Sequence, residues 1–345
     1  MNIFKGLAVI GVAACVSYAA MADISGAGAT FPYPIYAKWA DAYKKLTSVG
    51  LNYQSIGSGG GIKQIKAKTV TFGASDMPLK PDDLKAAGLL QFPMIIGGVV
   101  PVVNIKGIGP GQLQLDGATI AAIYLGDIAK WDDPAIKRLN PKLALPGTAI
   151  APIYRSDGSG TNFLFSDYLS KSSPKFQSTI GANSSVQWPS GIGAKGNEGV
   201  ANMTTQTDGA IGYVEYAYAK QNKMSFTQLT NKAGKVVAPS ADSFQAAAAN
   251  ADWTHADSYY LILTNQDGAK SWPITGASFI LLYKQPVDAA PVLEALKFFA
   301  WAYKDGSSMA AELDYVPLPA QLVAQVEKTW SAEITAGGHP VWSGK

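Results

Sequence analysis

Apolar residues recur at helical spacing in several segments of the chain. This spacing is typical of amphipathic helices that bury one face against a core. The predicted helices lie near residues 33–46, 61–67, 118–125, 161–170, 289–303 and 319–330.

Short continuous apolar runs with glycine or proline on their flanks lie between these helices and predict buried strands. They include Gly97–Asn104, Ala149–Tyr154, Ala210–Tyr216 and Ser278–Tyr283. Strands interleaved with helices favour a layered α/β fold over an all-β sandwich. No Ser/Gly/Pro-rich spacer divides the chain. Two lobes would therefore be joined through strands, with candidate crossings at Gly97-Gly98 and before Trp272, and would leave a cleft for a small ligand.

The first 22 residues predict a cleaved secretory signal, and therefore an exported protein. Lys5 precedes an apolar run at residues 6–17, and the tripeptide AMA that ends at Ala22 fits a signal-peptidase site. The run is shorter than the roughly 20 residues of a membrane-spanning helix. The alternative is a lipid anchor, because the tetrad VAAC that ends at Cys15 loosely matches a lipobox.

Composition describes a large globular chain with few charges. Hydrophobic residues make up 48% of the 345 positions, which excludes disorder, and this length favours about two domains. The net charge of +3 is too weak to indicate a nucleic-acid surface. Cys15, the only cysteine, lies in the leader, so the mature chain forms no disulfide.

The residues offer little for catalysis. His255 and His339 are the only histidines, and no His/Cys set has the spacing of a metal site. The glycine-rich segment at residues 57–64 lacks the Gly-Lys-Ser/Thr ending of a P-loop. A nucleophile elbow would need glycine where Asp157 stands. An enzyme is therefore the minor hypothesis, and neither metal nor cofactor is expected.

Three segments place glycine and hydroxyl residues immediately before a predicted helix: residues 28–31, 57–60 and 157–161. Unpaired N–H groups at a helix start, together with the helix dipole, bind oxyanions. Ordinary N-capping would explain any one of these segments. Three in one chain favour an anion-binding function.

Two charged residues sharpen this hypothesis. Arg155 is one of only two arginines and precedes the third segment; its planar fork suits an oxyanion, and Asp157 could hold it in place. A surface ion pair is the alternative. Asp76 carries negative charge itself, so it fits an anion site only if the ligand brings a proton to donate.

The sequence resembles the periplasmic phosphate-binding proteins of bacterial ABC transporters, the PstS family, along almost the whole mature chain. The resemblance implies a non-enzymatic type II periplasmic binding protein with two α/β lobes, a two-segment hinge and a ligand cleft between the lobes. Lobe I would comprise residues 23–95 and 270–345, and lobe II residues 96–269. The matching stretches include GAGATFPYPIYAKWADAY, NYQSIGSGGGIKQI, TFGASDMPL, RSDGSGTNFLF, GNEGV and WPITGASFIL.

The resemblance also implies a set of phosphate contacts. Asp157 would orient the arginine, and Asp76 would accept a hydrogen bond from protonated phosphate. Tyr154 and Gly59 depart from the family, whose members can carry a second Arg and a second Ser there. The implied contacts are Ala29, Thr30, Phe31, Ser58, Asp76, Arg155, Ser159, Gly160 and Thr161.

The implied function is high-affinity phosphate binding and delivery to the permease and ATPase subunits of a transporter. The resemblance further implies a monomer that does not bind nucleic acid. A phosphate-ester hydrolase or a phosphate-sensing adhesin would use the same segments. Sulfate and molybdate are the alternative ligands.

Overall fold

The computed structural model describes residues 23–249, 251–253 and 255–344. The expected signal peptide and Cys15 lie outside these residues, so the cleavage site and the lipid-anchor alternative remain predictions. In the described part of the chain, no helix combines the length and apolar character needed to cross a membrane.

Strands and helices alternate along the chain, as the apolar pattern predicts. The strands are β1 Ile24–Gly28, β2 Leu51–Ser55, β3 Phe72–Ser75, β4 Leu89–Val103, β5 Gln114–Asp116, β6 Ala151–Arg155, β7 Ile192–Ala194, β8 Ala210–Glu215, β9 Ser225–Phe226, β10 Gln228–Thr230, β11 Val236–Val237, β12 Thr275–Tyr283, β13 Thr335–Ala336 and β14 His339–Pro340. The α-helices are α1 Tyr33–Thr47, α2 Ser58–Lys66, α3 Pro81–Ala87, α4 Gly117–Leu125, α5 Pro134–Leu139, α6 Gly160–Ser172, α7 Pro174–Thr179, α8 Gly196–Gln206, α9 Tyr216–Gln221, α10 Ala241–Ala248, α11 Ala289–Lys304, α12 Ser307–Ala311 and α13 Ala320–Glu333. A 3₁₀ helix covers Asp257–Tyr259.

The main sheet has parallel strands toward its edges and antiparallel strands at its centre. Its order is β2-β1-β3-β12-β4-β8-β6-β7, and β9 also pairs with β4. β1 runs parallel to β2 and β3, and β6 runs parallel to β7 and β8. The largest fully buried side chains are aromatic and include Trp39, Trp131, Trp272 and Trp330.

β4 changes its pairing partner within one continuous strand. Up to Gly98 it pairs with β12, and from Val99 onward it pairs with β8. The change falls at the Gly97-Gly98 crossing suggested by the sequence. The division into lobes of residues 23–95 with 270–345, and 96–269, remains a prediction.

The two glycines at this point are needed for packing. A Cβ at Gly98 would lie 2.1 Å from the Phe244 ring, and one at Gly97 would lie 2.9 Å from the Phe31 ring. No real Cβ contact is that short, so a side chain at either position would displace an aromatic ring. The absence of a side chain at Gly97 therefore lets the ring of Phe31, a residue of the first candidate segment, pack directly against the central strand β4.

The candidate segments all follow the carboxyl ends of strands. β1 ends at Gly28, β2 at Ser55, β3 at Ser75 and β6 at Arg155. β1, β2 and β3 run parallel, so their carboxyl ends lie at one edge, where ligands bind in open α/β folds. β6 runs in the opposite direction, because β12, β4 and β8 are each antiparallel to the strand before them. The two groups of strands lie along successive halves of β4, so their carboxyl ends face each other. The topology therefore brings sequence-distant loops to one place.

Candidate functional site

The loops after β1, β2, β3 and β6 meet at one enclosed point. Ser58 Oγ accepts the backbone N–H of Asp76 at 3.2 Å and that of Gly160 at 3.0 Å. Arg155 Nη1 lies 3.3 Å from Thr30 Oγ1. Each of Thr30, Ser58, Asp76 and Arg155 is no more than 3% exposed. The structure thus brings together candidate residues from four segments.

Asp157 holds the Arg155 guanidinium in a two-pronged pair. Arg155 Nε donates to Asp157 Oδ1 and Nη2 to Oδ2, both at 2.7 Å. Asp157 also accepts the Gly196 N–H at 3.2 Å. Burial raises the pKa of Asp157, but the hydrogen bonds and charge of Arg155 outweigh burial and lower the pKa below its usual value. Arg155 is buried and Asp157 partly buried, in contrast to the surface alternative, and the pairing leaves Nη1 directed toward Thr30.

Asp76 is a buried acceptor beside these donors. It is 1% exposed, and neither carboxyl oxygen has a hydrogen-bond partner among the described residues. Burial raises its pKa to about 7, while the Ser278 hydroxyl, the Arg155 charge and the Ser58 hydroxyl oppose the rise. A buried polar group of this kind indicates a ligand that donates a hydrogen bond.

Two helices begin at this point. α2 starts at Ser58 and α6 at Gly160, where Ser159 Oγ caps the helix by accepting the Asn162 N–H at 3.0 Å. The Thr161 N–H donates to no acceptor in the described part of the chain. Unpaired N–H groups and the positive ends of both helix dipoles therefore favour an anion here.

The Thr30 loop, defined as residues 29–31, supplies two further backbone donors. The N–H groups of Thr30 and Phe31 have no acceptor among the described residues. Ala29 differs, because its N–H donates to the Ala74 carbonyl at 3.0 Å. Ala29 therefore sets the position of the loop, whereas the next two residues offer donors.

Tyrosine hydroxyls fix all three carbonyls of this loop, a feature that sequence reasoning missed. Tyrosine is common in cores, so no local signal marks these residues as site residues. The pairs are Tyr53 with the Ala29 carbonyl, Tyr218 with the Thr30 carbonyl and Tyr315 with the Phe31 carbonyl, each at 2.7 Å.

Asn197 is a second residue that the sequence did not mark, although the GNEGV stretch contains it. Its Nδ2 donates to Thr30 Oγ1 at 2.7 Å and to Thr161 Oγ1 at 3.2 Å. Its Oδ1 accepts the Glu215 N–H at 2.9 Å. Because each threonine oxygen already accepts a bond, its own O–H proton is left to donate.

The two departures from the family pattern have defined places. Gly59 donates its N–H to the Gly158 carbonyl at 2.9 Å, and a Cβ there would lie 3.1 Å from Gly158 Cα. The Tyr154 ring packs 5.9 Å from the Trp188 ring. The first departure permits direct backbone contact between two candidate segments.

Glu215 is a buried acid next to the Thr30 loop. Its Oε2 is bonded to the Tyr315 hydroxyl and to the Ala217 N–H, both at 2.8 Å, while Oε1 has no partner in the described chain. Tyr315 has one proton, yet it contacts two acceptors, the Phe31 carbonyl and Glu215. Both contacts are satisfied when Glu215 is protonated. Burial accordingly raises the pKa of Glu215 well above its usual value.

Glu215→Gln is expected to change how folding stability depends on pH. A raised pKa in the folded state means that the acid contributes its full stability below the unfolded-state pKa of about 4.3, and that this contribution is lost as pH rises toward the folded-state pKa. Glutamine keeps a neutral donor and has no such loss. Between about pH 5 and pH 8, the free energy of unfolding measured in urea should therefore increase for Glu215→Gln relative to the wild type as the pH rises.

The exposed carboxyl Asp83 provides the control variant Asp83→Asn, which replaces an acid by its amide at the surface. A stability difference between Glu215→Gln and wild type that stays constant with pH would contradict a protonated Glu215.

No group of three or more potential metal ligands occurs within residues 23–249, 251–253 and 255–344. His255 pairs with Asp252 at 2.7 Å on the surface, and His339 lies in β14. Both histidines are therefore outside the candidate site.

Comparisons with known proteins agree with this architecture. A family model described as a PBP superfamily domain matches residues 16–305. The phosphate-binding protein PstS of Xylella fastidiosa strain 9a5c is 56% identical over 310 residues, which cover 90% of this chain and 85% of that protein. Its namesake from Pasteurella multocida strain Pm70 is 54% identical over 320 residues, covering 92% and 93%.

The solved structures support the same fold. The phosphate-binding protein from Stenotrophomonas maltophilia superposes with a TM-score of 0.72 over 92% of this chain and 97% of that one, at 19% identity. Together with 19% sequence identity, this superposition supports a shared fold and nothing further. The α/β periplasmic-binding-protein class expected from the sequence is confirmed.

Proposed function

The chain belongs to the PstS family of phosphate-binding proteins, and on this basis we propose that it binds inorganic phosphate with high affinity in the periplasm and delivers it to an ABC transporter. The observation that carries the proposal is the meeting of Arg155, two helix N-termini and the acceptor Asp76 at one enclosed point. Arg155 and the N–H groups of the helix starts would donate hydrogen bonds to the phosphate oxygens, and Asp76 would accept one from P–OH.

The proposed contacts follow from the free hydrogen-bonding groups. Arg155 and the N–H groups of Thr30, Phe31 and Thr161 donate to phosphate, together with the hydroxyls of Thr30, Ser58 and Thr161. Asp76 accepts, and Asp157 orients the arginine. Ser159 and Gly160 form the start of α6, and Ala29 holds the Thr30 loop.

Closure of two lobes is part of the proposal. The first lobe would comprise residues 23–95 and 270–345, and the second residues 96–269. Contacts between the two lobes surround the site, including Asn197 with Thr30, and Lys220 with Asp314 at 2.5 Å. Phosphate held between the lobes would favour the closed form, which the permease and its ATPase would recognise on a monomeric binding protein. A signal peptide ending at Ala22 would deliver the protein to the periplasm.

The relatives are binding proteins, and we propose binding without catalysis. Hydrolysis of a phosphate ester needs an activated nucleophile or a metal-bound water. The Ser58 and Thr161 hydroxyls instead accept hydrogen bonds from backbone N–H groups and Asn197, which are donors and cannot remove the hydroxyl proton as a general base would. Turnover of a chromogenic phosphate ester above the rate in buffer would support the hydrolase alternative.

Calorimetry on protein stripped of ligand tests the function directly. One phosphate should bind per chain, arsenate should compete, and sulfate and molybdate should not at equal concentration. Tighter binding of sulfate or molybdate than of phosphate would contradict the proposed ligand.

Phosphate is also expected to make the protein more compact. A ligand that contacts both lobes shifts the open–closed equilibrium by its differential affinity for the closed form. Small-angle scattering should show a smaller radius of gyration with phosphate than without, and no change with sulfate at the same ionic strength. Identical curves for stripped and phosphate-loaded protein would argue against closure.

A further inference from the structure

The three tyrosine bonds to the Thr30 loop act on consecutive peptide groups. In a trans peptide the C=O and N–H bonds point in opposite directions. The Ala29 carbonyl belongs to the same peptide as the Thr30 N–H, and the Thr30 carbonyl to the same peptide as the Phe31 N–H. A hydroxyl that fixes each carbonyl on one side therefore fixes the corresponding N–H on the other.

We infer that Tyr53 and Tyr218 are positioning residues of the phosphate site, each aiming one backbone N–H of the Thr30 loop at the anion. The inference rests on the proposed function. Both hydroxyls lie 2.7 Å from their carbonyls, and both N–H groups have no other acceptor among the described residues. A hydrogen bond to the carbonyl also polarises the peptide and strengthens its N–H as a donor.

Tyr315 provides an internal comparison. It bonds to the Phe31 carbonyl at the same distance of 2.7 Å. The peptide that follows Phe31 ends in Pro32, which has no N–H. Tyr315 therefore anchors the loop without aiming a donor.

Tyr218 differs from Tyr53 because its bond crosses between the proposed lobes. Its hydroxyl also lies 3.0 Å from Glu198 Oε1, so the carboxylate and the nearer Thr30 carbonyl share its one proton. The bond exists only while the lobes are together. Its loss should act mainly on the rate of phosphate release.

The test is phosphate binding by Tyr53→Phe, Tyr218→Phe and Tyr315→Phe, with Tyr303→Phe as the matched control. Tyr303 likewise donates to a backbone carbonyl, that of Pro93 at 2.6 Å, but lies outside the site. Tyr53→Phe and Tyr218→Phe should each weaken phosphate binding by roughly 3- to 10-fold. Tyr315→Phe should have a smaller effect, and Tyr303→Phe none. In Tyr218→Phe the loss should appear in the dissociation rate.

Amide resonances give a readout that a general loss of stability would not produce. In wild type, added phosphate should shift the Thr30 and Phe31 amide protons downfield. Tyr53→Phe should reduce the shift at Thr30, and Tyr218→Phe the shift at Phe31.

The outcomes are distinct. Failure of wild type to bind phosphate would overturn the proposed function together with this inference. The positioning role is wrong if wild type binds phosphate but the variants lose affinity in proportion to their losses of thermal stability. It is also wrong if Tyr315→Phe loses as much affinity as the other two variants. Should one variant fail to fold, the amide shifts of the other still decide.

Discussion

Arg155→Ala is expected to weaken phosphate binding by roughly 10- to 150-fold from the lost hydrogen bonds alone, since charge-assisted bonds contribute about 1.5–3 kcal/mol. The structure adds a second cost. Asp157 would lose both bonds to the guanidinium, so a partly buried carboxylate would lie beside the anion without its compensating positive charge. Titration calorimetry with stripped protein measures the change.

Variants of the same pair separate these two effects. Arg155→Lys keeps the charge but loses the fork, so it should bind more weakly than wild type and more tightly than Arg155→Ala. Adding Asp157→Ala to Arg155→Ala should recover part of the loss by removing the repulsive carboxylate. Arg138→Ala, at the exposed second arginine, is the control and should change nothing. An unchanged affinity in Arg155→Ala would remove Arg155 from the site.

Local sequence signals accounted for the segments that form the site. Glycine and hydroxyl residues before amphipathic helices predicted donors at Ser58 and Thr161, and both lie at the first turn of a helix. These features depend on neighbours within a few residues, so a sequence can carry them. Arg155 was singled out because the chain has only two arginines. Its pairing with Asp157, two residues later, is also a local feature.

The contacts that hold the site together could not be predicted in this way. Tyr218 reaches Thr30 across 188 residues, and Asn197 reaches it across 167. Both depend on how distant strands are ordered in the sheet. Nothing in the sequence near Tyr218 distinguishes it from a core aromatic, which it also is.

The length of β4 was also underestimated, for a physical reason. The sequence predicted a strand from Gly97, but β4 begins at Leu89 and includes Pro93. Proline lacks an N–H for the ladder, yet β4 contains both Pro93 and Pro101, the second within the predicted stretch. At Pro93 the register with β12 shifts between Ser278 and Phe279. Bulges accommodate proline within a ladder, and their position cannot be deduced from one strand alone.

Sulfate is expected not to displace phosphate at neutral pH, and Asp76 is the reason. An ionised carboxylate only accepts hydrogen bonds, and phosphate can satisfy it through P–OH. Sulfate would place lone pairs and negative charge against a group that is buried without a partner in the described chain. A site whose acceptor stays ionised can reject an analogue that lacks the ligand proton by up to roughly 10⁴-fold, so the rejection should be strongest where Asp76 is ionised. Arsenate keeps its proton and should compete.

The raised pKa makes this selectivity dependent on pH. Asp76 has a pKa of about 7. Below that pH the protonated carboxyl can donate to sulfate, whereas above it the carboxylate repels sulfate. The ratio of sulfate to phosphate dissociation constants should therefore fall as pH is lowered from about 8 to about 5.5. Competition between the two anions, measured across this range, checks the trend.

Two asparagine variants decide whether Asp76 itself selects the ligand. Asp76→Asn can turn an amide donor toward sulfate at any pH, so it should bind sulfate better than wild type, change less toward phosphate and lose the pH trend in the ratio. Asp157→Asn is the same substitution at the carboxylate paired with Arg155. It should weaken the binding of sulfate and of phosphate to a similar degree, because Arg155 would contact either anion. If wild type bound sulfate as tightly as phosphate, or if Asp157→Asn admitted sulfate as well as Asp76→Asn did, selection by a proton acceptor at Asp76 would be wrong.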